Sequence, residues 1–120
     1  MFWKKKRKLK LKEVRLNGSA YTLEPVANEL NVAPRAAILL LRAINVHCKE
    51  DENAYIPESI SVEDVKRCHM ANEKFLIIEG LVTNGKCAWD TEVSEDTELI
   101  LTSKAKKLLL KTALKQKTQK

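Results

Sequence analysis

The chain has 120 residues, is 44% hydrophobic and 32% charged, and carries a formal net charge of +6; this is enough apolar material for one core without metals or disulfide staples. Only three glycines and three prolines occur, too few for a sandwich of many short strands, so mixed helix and hairpin, an α+β class, is expected. Cys48, Cys68 and Cys87 form no Cys-x-x-Cys, which is not the framework of a small secreted domain and points to a reducing, intracellular setting.

The leading "MFWKKKRKLKLKE" is basic but lacks the roughly 7 to 15 residue apolar run of a signal peptide, and no stretch approaches the roughly 20 apolar residues of a membrane span. Neither export by that route nor a span is expected. From Lys8 to Leu16 the apolar residues alternate, with a parity change near Glu13 that reads as a bulge. Asn17-Gly18 supplies a type I′ turn, and "SAYTL" returns, so that Val14 faces Tyr21 and Lys12 faces Leu23 in an N-terminal β-hairpin. Pro25 and Pro34 fit the first turns of two helices, over 24–31 with Thr22 as N-cap and over 34–46, joined by "NVA". After the irregular "HCKEDENAYIPES", Ser61 caps a third helix running from 62 to about 79, with Glu63 and Asp64 complementing its dipole and Gly80 ending it. Asn84-Gly85 marks a turn, and "CAWDTEV" pairs with "TELILT" across "SED" as a second hairpin. Thr102 or Ser103 caps a last helix whose buried face is Ala105, Leu108, Leu109, Thr112 and Ala113, with lysines on the rest.

Charge is segregated along the chain. Residues 1–15 carry eight bases and one acid, residues 103–120 carry seven lysines and no acid, and the intervening body holds 7 bases and 15 acids. One domain is therefore expected, with a basic arm at 1–12, an acidic folded body at 13–102 and a basic helix and tail at 103–120. Lysines that neutralise phosphates release condensed counterions, so nucleic acid, DNA or RNA, is the leading partner. The expected contacts are Lys4, Lys5, Lys6, Arg7, Lys8 and Lys10 at one end and Lys104, Lys106, Lys107, Lys111 and Lys115 at the other. "KKKRK" at 4–8 also resembles a nuclear import signal, and "SKAKKLLLKTALKQK" has the composition of an interfacial amphipathic helix. A cytoplasmic, nuclear or nucleoid-associated, or viral setting fits.

At 100° per residue, helix 34–46 places Arg35, Ile38, Arg42 and Asn45 in one narrow stripe and apolar residues everywhere else. As a base reader the stripe would use Arg35 and Arg42 on guanine or phosphate and Ile38 on a thymine methyl; otherwise this is a core or interface helix whose arginines snorkel. Trp3 suits stacking on a base or insertion at an interface, and Ile38 and Leu39 are candidate partner-interface residues, for protein partners or a homo-oligomer.

Helix, turn, helix, two-stranded wing and final helix resemble the order of winged-helix DNA-binding proteins. The resemblance is carried by "VANELNV" before a turn, by "IIEGLV" at 77–82, similar to the segment before a wing, and by "ELILTSKAKKLL". The last is similar to the "LT..G..LL" ending of the multiple-antibiotic-resistance regulator type, with Ala105 standing where that ending has glycine. The resemblance implies a recognition helix, either 34–46 or 62–79. The wing itself carries Asp90, Glu92, Glu95, Asp96 and Glu98, which phosphates would repel, so it is not expected to touch DNA.

The sequence has no Gly-rich phosphate loop, no G-x-S-x-G and no H-E-x-x-H, and no enzyme and no cofactor are expected. His47-Cys48, Cys68-His69 and Cys87 are five soft donors, but adjacent ligands lack zinc spacing, and packing cysteines are the simpler reading. The expected function is a small non-enzymatic nucleic-acid-binding protein. The alternatives are an assembly adaptor, of a virion or multi-subunit complex, docking through the apolar helix, and a sequence-specific regulator.

Overall fold

The computed structural model of the chain describes residues 8–14, 23–68, 73–85 and 92–118. Its elements in chain order are α1 (Leu11–Val14), α2 (Glu24–Glu29), α3 (Pro34–His47), β1 (Ser59–Ser61), α4 (Val62–Lys66), α5 (Glu73–Ile78), β2 (Val82–Thr83), β3 (Glu98–Leu101) and α6 (Ser103–Thr118). The α+β class is borne out. The three strands form one antiparallel sheet in the order β1-β3-β2, with Ile60 opposite Leu99 and Val82 opposite Leu101; these four side chains point inward and are buried.

α3 occupies the centre, packed against α1, α2, α4, α5 and β1. Ala36, Ala37, Leu39, Leu40, Leu41, Ala43 and Ile44 are buried, while Arg35 and Arg42 are exposed and Ile38 and Asn45 half-buried. The stripe of the sequence reading is present, and the remaining surface is core. Pro34 at the first helical position fixes Ala33 in an extended conformation, and the Ala33 N–H is taken by the Glu79 carboxylate at 2.8 Å. Before it, α2 closes on Asn31, whose φ of 58° takes the left-handed role usually given to glycine, with Val32 N–H donating to Ala27 at 2.8 Å.

Three expected elements differ. Residues 8–14 are not the extended strand expected: Lys10 bridges Tyr55, and Leu11–Val14 is one helical turn. The parity change near Glu13 is the step from strand period to helix period. Leu11 and Val14, three apart, bury on one face, and the Glu13 carboxylate accepts the Lys10 N–H at 3.0 Å, closing the turn. The turn at Asn17-Gly18, the Thr22 cap and the pairing of Val14 with Tyr21 fall outside the described residues.

Nor is 62–79 one helix. α4 opens on the expected cap, with Ser61 Oγ accepting the Asp64 N–H at 3.0 Å and the Asp64 carboxylate accepting the Ser61 N–H at 2.9 Å. It then tightens at Cys68, whose N–H donates to Val65 at 3.0 Å, and the chain is in turn and bend at 67 and 68. α5 ends at Gly80, φ 77°, with Leu81 N–H donating to Leu76 and Gly80 N–H to Ile77, a paired closure that needs the left-handed residue.

The second hairpin is also re-partnered. β3 is present and the "SED" turn is made, with Thr97 N–H donating to Ser94 at 3.0 Å. Yet the partners of β3 among the described residues are β1 and β2, residues 92–94 are not strand, and 86–91 lie outside the described residues. Thr102 caps α6, accepting the Ala105 N–H at 3.2 Å and donating its hydroxyl to Gly80 O at 2.6 Å. All five face residues of α6 are buried, and the Thr112 hydroxyl is satisfied by Leu108 O at 2.7 Å.

Candidate nucleic-acid interface

The end of the basic N-terminal arm, from Lys8, and the basic helix α6, far apart in sequence, meet. Leu9 is buried, and Ile56 N–H donates to Leu9 O while Leu11 N–H donates to Ala54 O, both at 2.8 Å. These bonds pin the end of the N-terminal arm along 54–56. The helical turn that follows packs against α6. Between this segment, residues 55–58, the end of β3 and α6 lies a half-open groove of about 760 Å³. Leu9, Ile56, Leu101, Leu109 and Leu110 give it an apolar floor, and Lys8, Lys106 and Lys107 stand on its rim with Glu58.

Tyr55, 56% exposed, also lines it. The ammonium groups of Lys8 and Lys10 lie 6.0 Å and 5.6 Å from its ring centroid, within cation–π reach. Lys106 Nζ bonds Glu58 Oε1 at 2.9 Å, with side chains 41% and 81% exposed, so this pair is held weakly. Lys107 is exposed.

The other expected lysines of α6 are engaged elsewhere. Lys104 Nζ donates to the carbonyls of Glu79 at 3.2 Å and Asn31 at 3.4 Å, a cation at the ends of α5 and α2 where orphan carbonyls collect. Lys111 bonds Glu29 at 2.8 Å, tying α6 to α2. Lys4, Lys5, Lys6, Arg7 and Trp3 lie outside the described residues, as does the side chain of Lys115. Leu39, expected at a partner interface, is 1% exposed and belongs to the core.

The acids expected at the wing, Glu92, Glu95, Asp96 and Glu98, are exposed; Asp90 lies outside the described residues. Glu98 sits at the opposite end of β3 from Leu101, so the anionic pole and the groove are separated by the length of that strand. Asn84 Nδ2 donates to Glu92 O at 2.9 Å and Lys74 Nζ stands 3.8 Å from Glu92 Oε1, fastening this segment to α5.

His47 Nδ1 lies 2.9 Å from Asp64 Oδ2. Burial alone would raise the Asp64 carboxyl, but bonds from the Ser61 N–H and from His47 outweigh it and hold the carboxyl below its ordinary range. The Cys48 thiol is raised by burial and then by Asp51 and Asp64; Cys68 is raised by burial against the opposing charge of Arg42. Both therefore stay protonated at neutral pH, poor as nucleophiles or ligands. Among the described residues no three His, Cys, Asp or Glu side chains converge to hold a metal; His69 and Cys87 fall outside them. Nor, among the described residues, is any helix long and apolar enough to cross a membrane.

Tyr55, Glu58 and the leucine floor were not picked out from the sequence. The available signal was one aromatic in the polar "HCKEDENAYIPES", and it becomes meaningful only once the arm and α6 flank it. The chain matches no protein-family model, no curated protein and no solved structure.

Proposed function

We propose that this chain is a small, non-enzymatic, intracellular nucleic-acid-binding protein that grips phosphates with its two basic ends. The observation that carries the reading is their convergence: Lys8 of the arm and Lys106 and Lys107 of α6 line one groove, with Lys10 beside the Tyr55 ring, while Glu92, Glu95, Asp96 and Glu98 lie toward the far end of β3. A cationic patch of this density concentrates a polyanion by counterion release, without reading bases.

The body that carries the patch is winged-helix-like. Supporting this, α4 and α5 lie between β1 and β2, the sheet order is β1-β3-β2, and α5 directly precedes the "GLV" at 80–82. The break near Cys68 supplies the turn that one helix over 62–79 would lack. α5 is the better candidate for a recognition helix than α3, because α3 is buried on most of its surface. With acids at the wing, sequence-specific duplex reading draws no support from charge. An adaptor role through α3 draws none from packing, since its apolar surface is already covered.

Fluorescence anisotropy with a labelled oligonucleotide, titrated from low to high salt, tests the reading. Affinity should fall by orders of magnitude across that range; affinity that is absent at low salt, or flat, rules the proposal out.

A further inference from the structure

We infer that the groove takes single-stranded nucleic acid, seating an unstacked base against the Tyr55 ring. This rests on the nucleic-acid reading above and adds the substrate class. A duplex presents phosphates and base edges and keeps its base faces hidden, so an apolar floor of Leu9, Ile56, Leu101, Leu109 and Leu110 offers it nothing. An unpaired base has two apolar faces to bury, and aromatic platforms beside cations are how proteins hold such strands without sequence preference. The volume, about 760 Å³, falls in the range of roughly 300 to 1,000 Å³ typical of sites for small organic groups.

The backbone that carries the ring is held: Tyr55 is bridged to Lys10, and the next residue bonds Leu9 O. Tyr55 as a residue is 56% exposed rather than spent in the core, and the ammonium groups of Lys8 and Lys10 stand beside its ring. The phosphates flanking a base stacked there would meet Lys8 on one side, with Lys10 beside the ring, and Lys106 and Lys107 on the other. An acidic amphipathic peptide meets the same lysines, and the experiment separates it.

The experiment uses the full chain with labelled oligothymidylate, a duplex of equal length and an acidic amphipathic peptide, in anisotropy titrations at low salt. The single strand should bind more tightly than the duplex. Tyr55→Ala should weaken single-strand binding about tenfold or more while leaving duplex binding within about twofold, and Tyr55→Phe should restore it. Circular dichroism of Tyr55→Ala should match the parent, the side chain being largely exposed. If both nucleic acids bind equally and Tyr55→Ala weakens neither, the base seat is wrong and the phosphate grip stands. If neither binds, the functional reading fails and this inference with it. Tyr55-dependent capture of the acidic peptide in place of oligothymidylate overturns the inference as well.

Discussion

Replacing Lys8, Lys10, Lys106 and Lys107 together with glutamine asks whether the convergence of the two ends is what binds. Each lysine that neutralises a phosphate on a single strand contributes about 0.7 to the slope of log affinity against log salt, so four contribute about 3. Between about 50 and 200 mM salt, wild-type affinity should then fall by a factor about 50 larger than that of the variant. The fold should survive: Lys8 and Lys107 are exposed, and the ion pair of Lys106 with Glu58 lies at the surface, where such pairs contribute about 0 to 1 kcal/mol. Lys104→Gln is the control, because its ammonium serves backbone carbonyls of Glu79 and Asn31; it should leave the slope unchanged, well inside the step of about 0.7 that one lost phosphate contact would make. Anisotropy titrations at several salt concentrations measure both. Unchanged slope in the quadruple variant, whatever its affinity, would refute an ionic grip at this groove.

Glu58→Gln frees Lys106 from its 2.9 Å partner and removes a negative charge from the rim; affinity for oligothymidylate should rise, by up to about fivefold, and a fall would place Glu58 among the binding groups. For Asp64, folding lowers the carboxyl below its ordinary value, so the folded state binds fewer protons. Its contribution is fully present above the unfolded value near ~4 and is lost as pH falls through the lower folded one. The stability gap between wild type and Asp64→Asn in urea denaturation should therefore be widest near neutrality and close in acid; a gap that widens in acid would contradict the assignment. Gly80→Ala should cost about 1 to 2 kcal/mol by the same measurement, purely from the φ of 77°, because the added Cβ would sit 3.7 Å from Lys104 Cδ, an ordinary contact.

What could be read from the sequence was whatever depends on local chemistry. Period fixed the buried face of α6 to the residue, proline and a thin polar stripe fixed α3, and Ser61 in "SVED" announced the cap of α4. Most of the differences concern partners distant in sequence. Ser59–Ser61 carries a single apolar residue, Ile60, too little alternation to mark a strand. It becomes one because Leu99 of β3, far along the chain, lies opposite and both bury. The same holds for Leu9, Leu11 and Val14: their spacing suits a hairpin strand until 54–56 and α6 supply another cover. No glycine or proline marks the break after Lys66, so the division of 62–79 into α4 and α5 had no local sign.

The groove follows from that last class of contact, and so does the choice of lysines. Counted in sequence, Lys104, Lys106, Lys107 and Lys111 are equivalent. Folded, Lys104 caps carbonyls and Lys111 is bonded to Glu29 across to α2, which orients the helix and leaves Lys106 and Lys107 on the groove side. The acids of the body therefore act twice. They anchor α6 so that two of its lysines face the groove, and by bonding Lys106 through Glu58 they place one competing carboxylate at the rim. A strand whose phosphates displace that carboxylate exchanges one exposed ion pair for another, with a net gain that is small per contact. Binding strength then comes from the number of phosphates met at once and from the base that the apolar floor buries, which is why charge at the two ends is useful only where the fold brings them together.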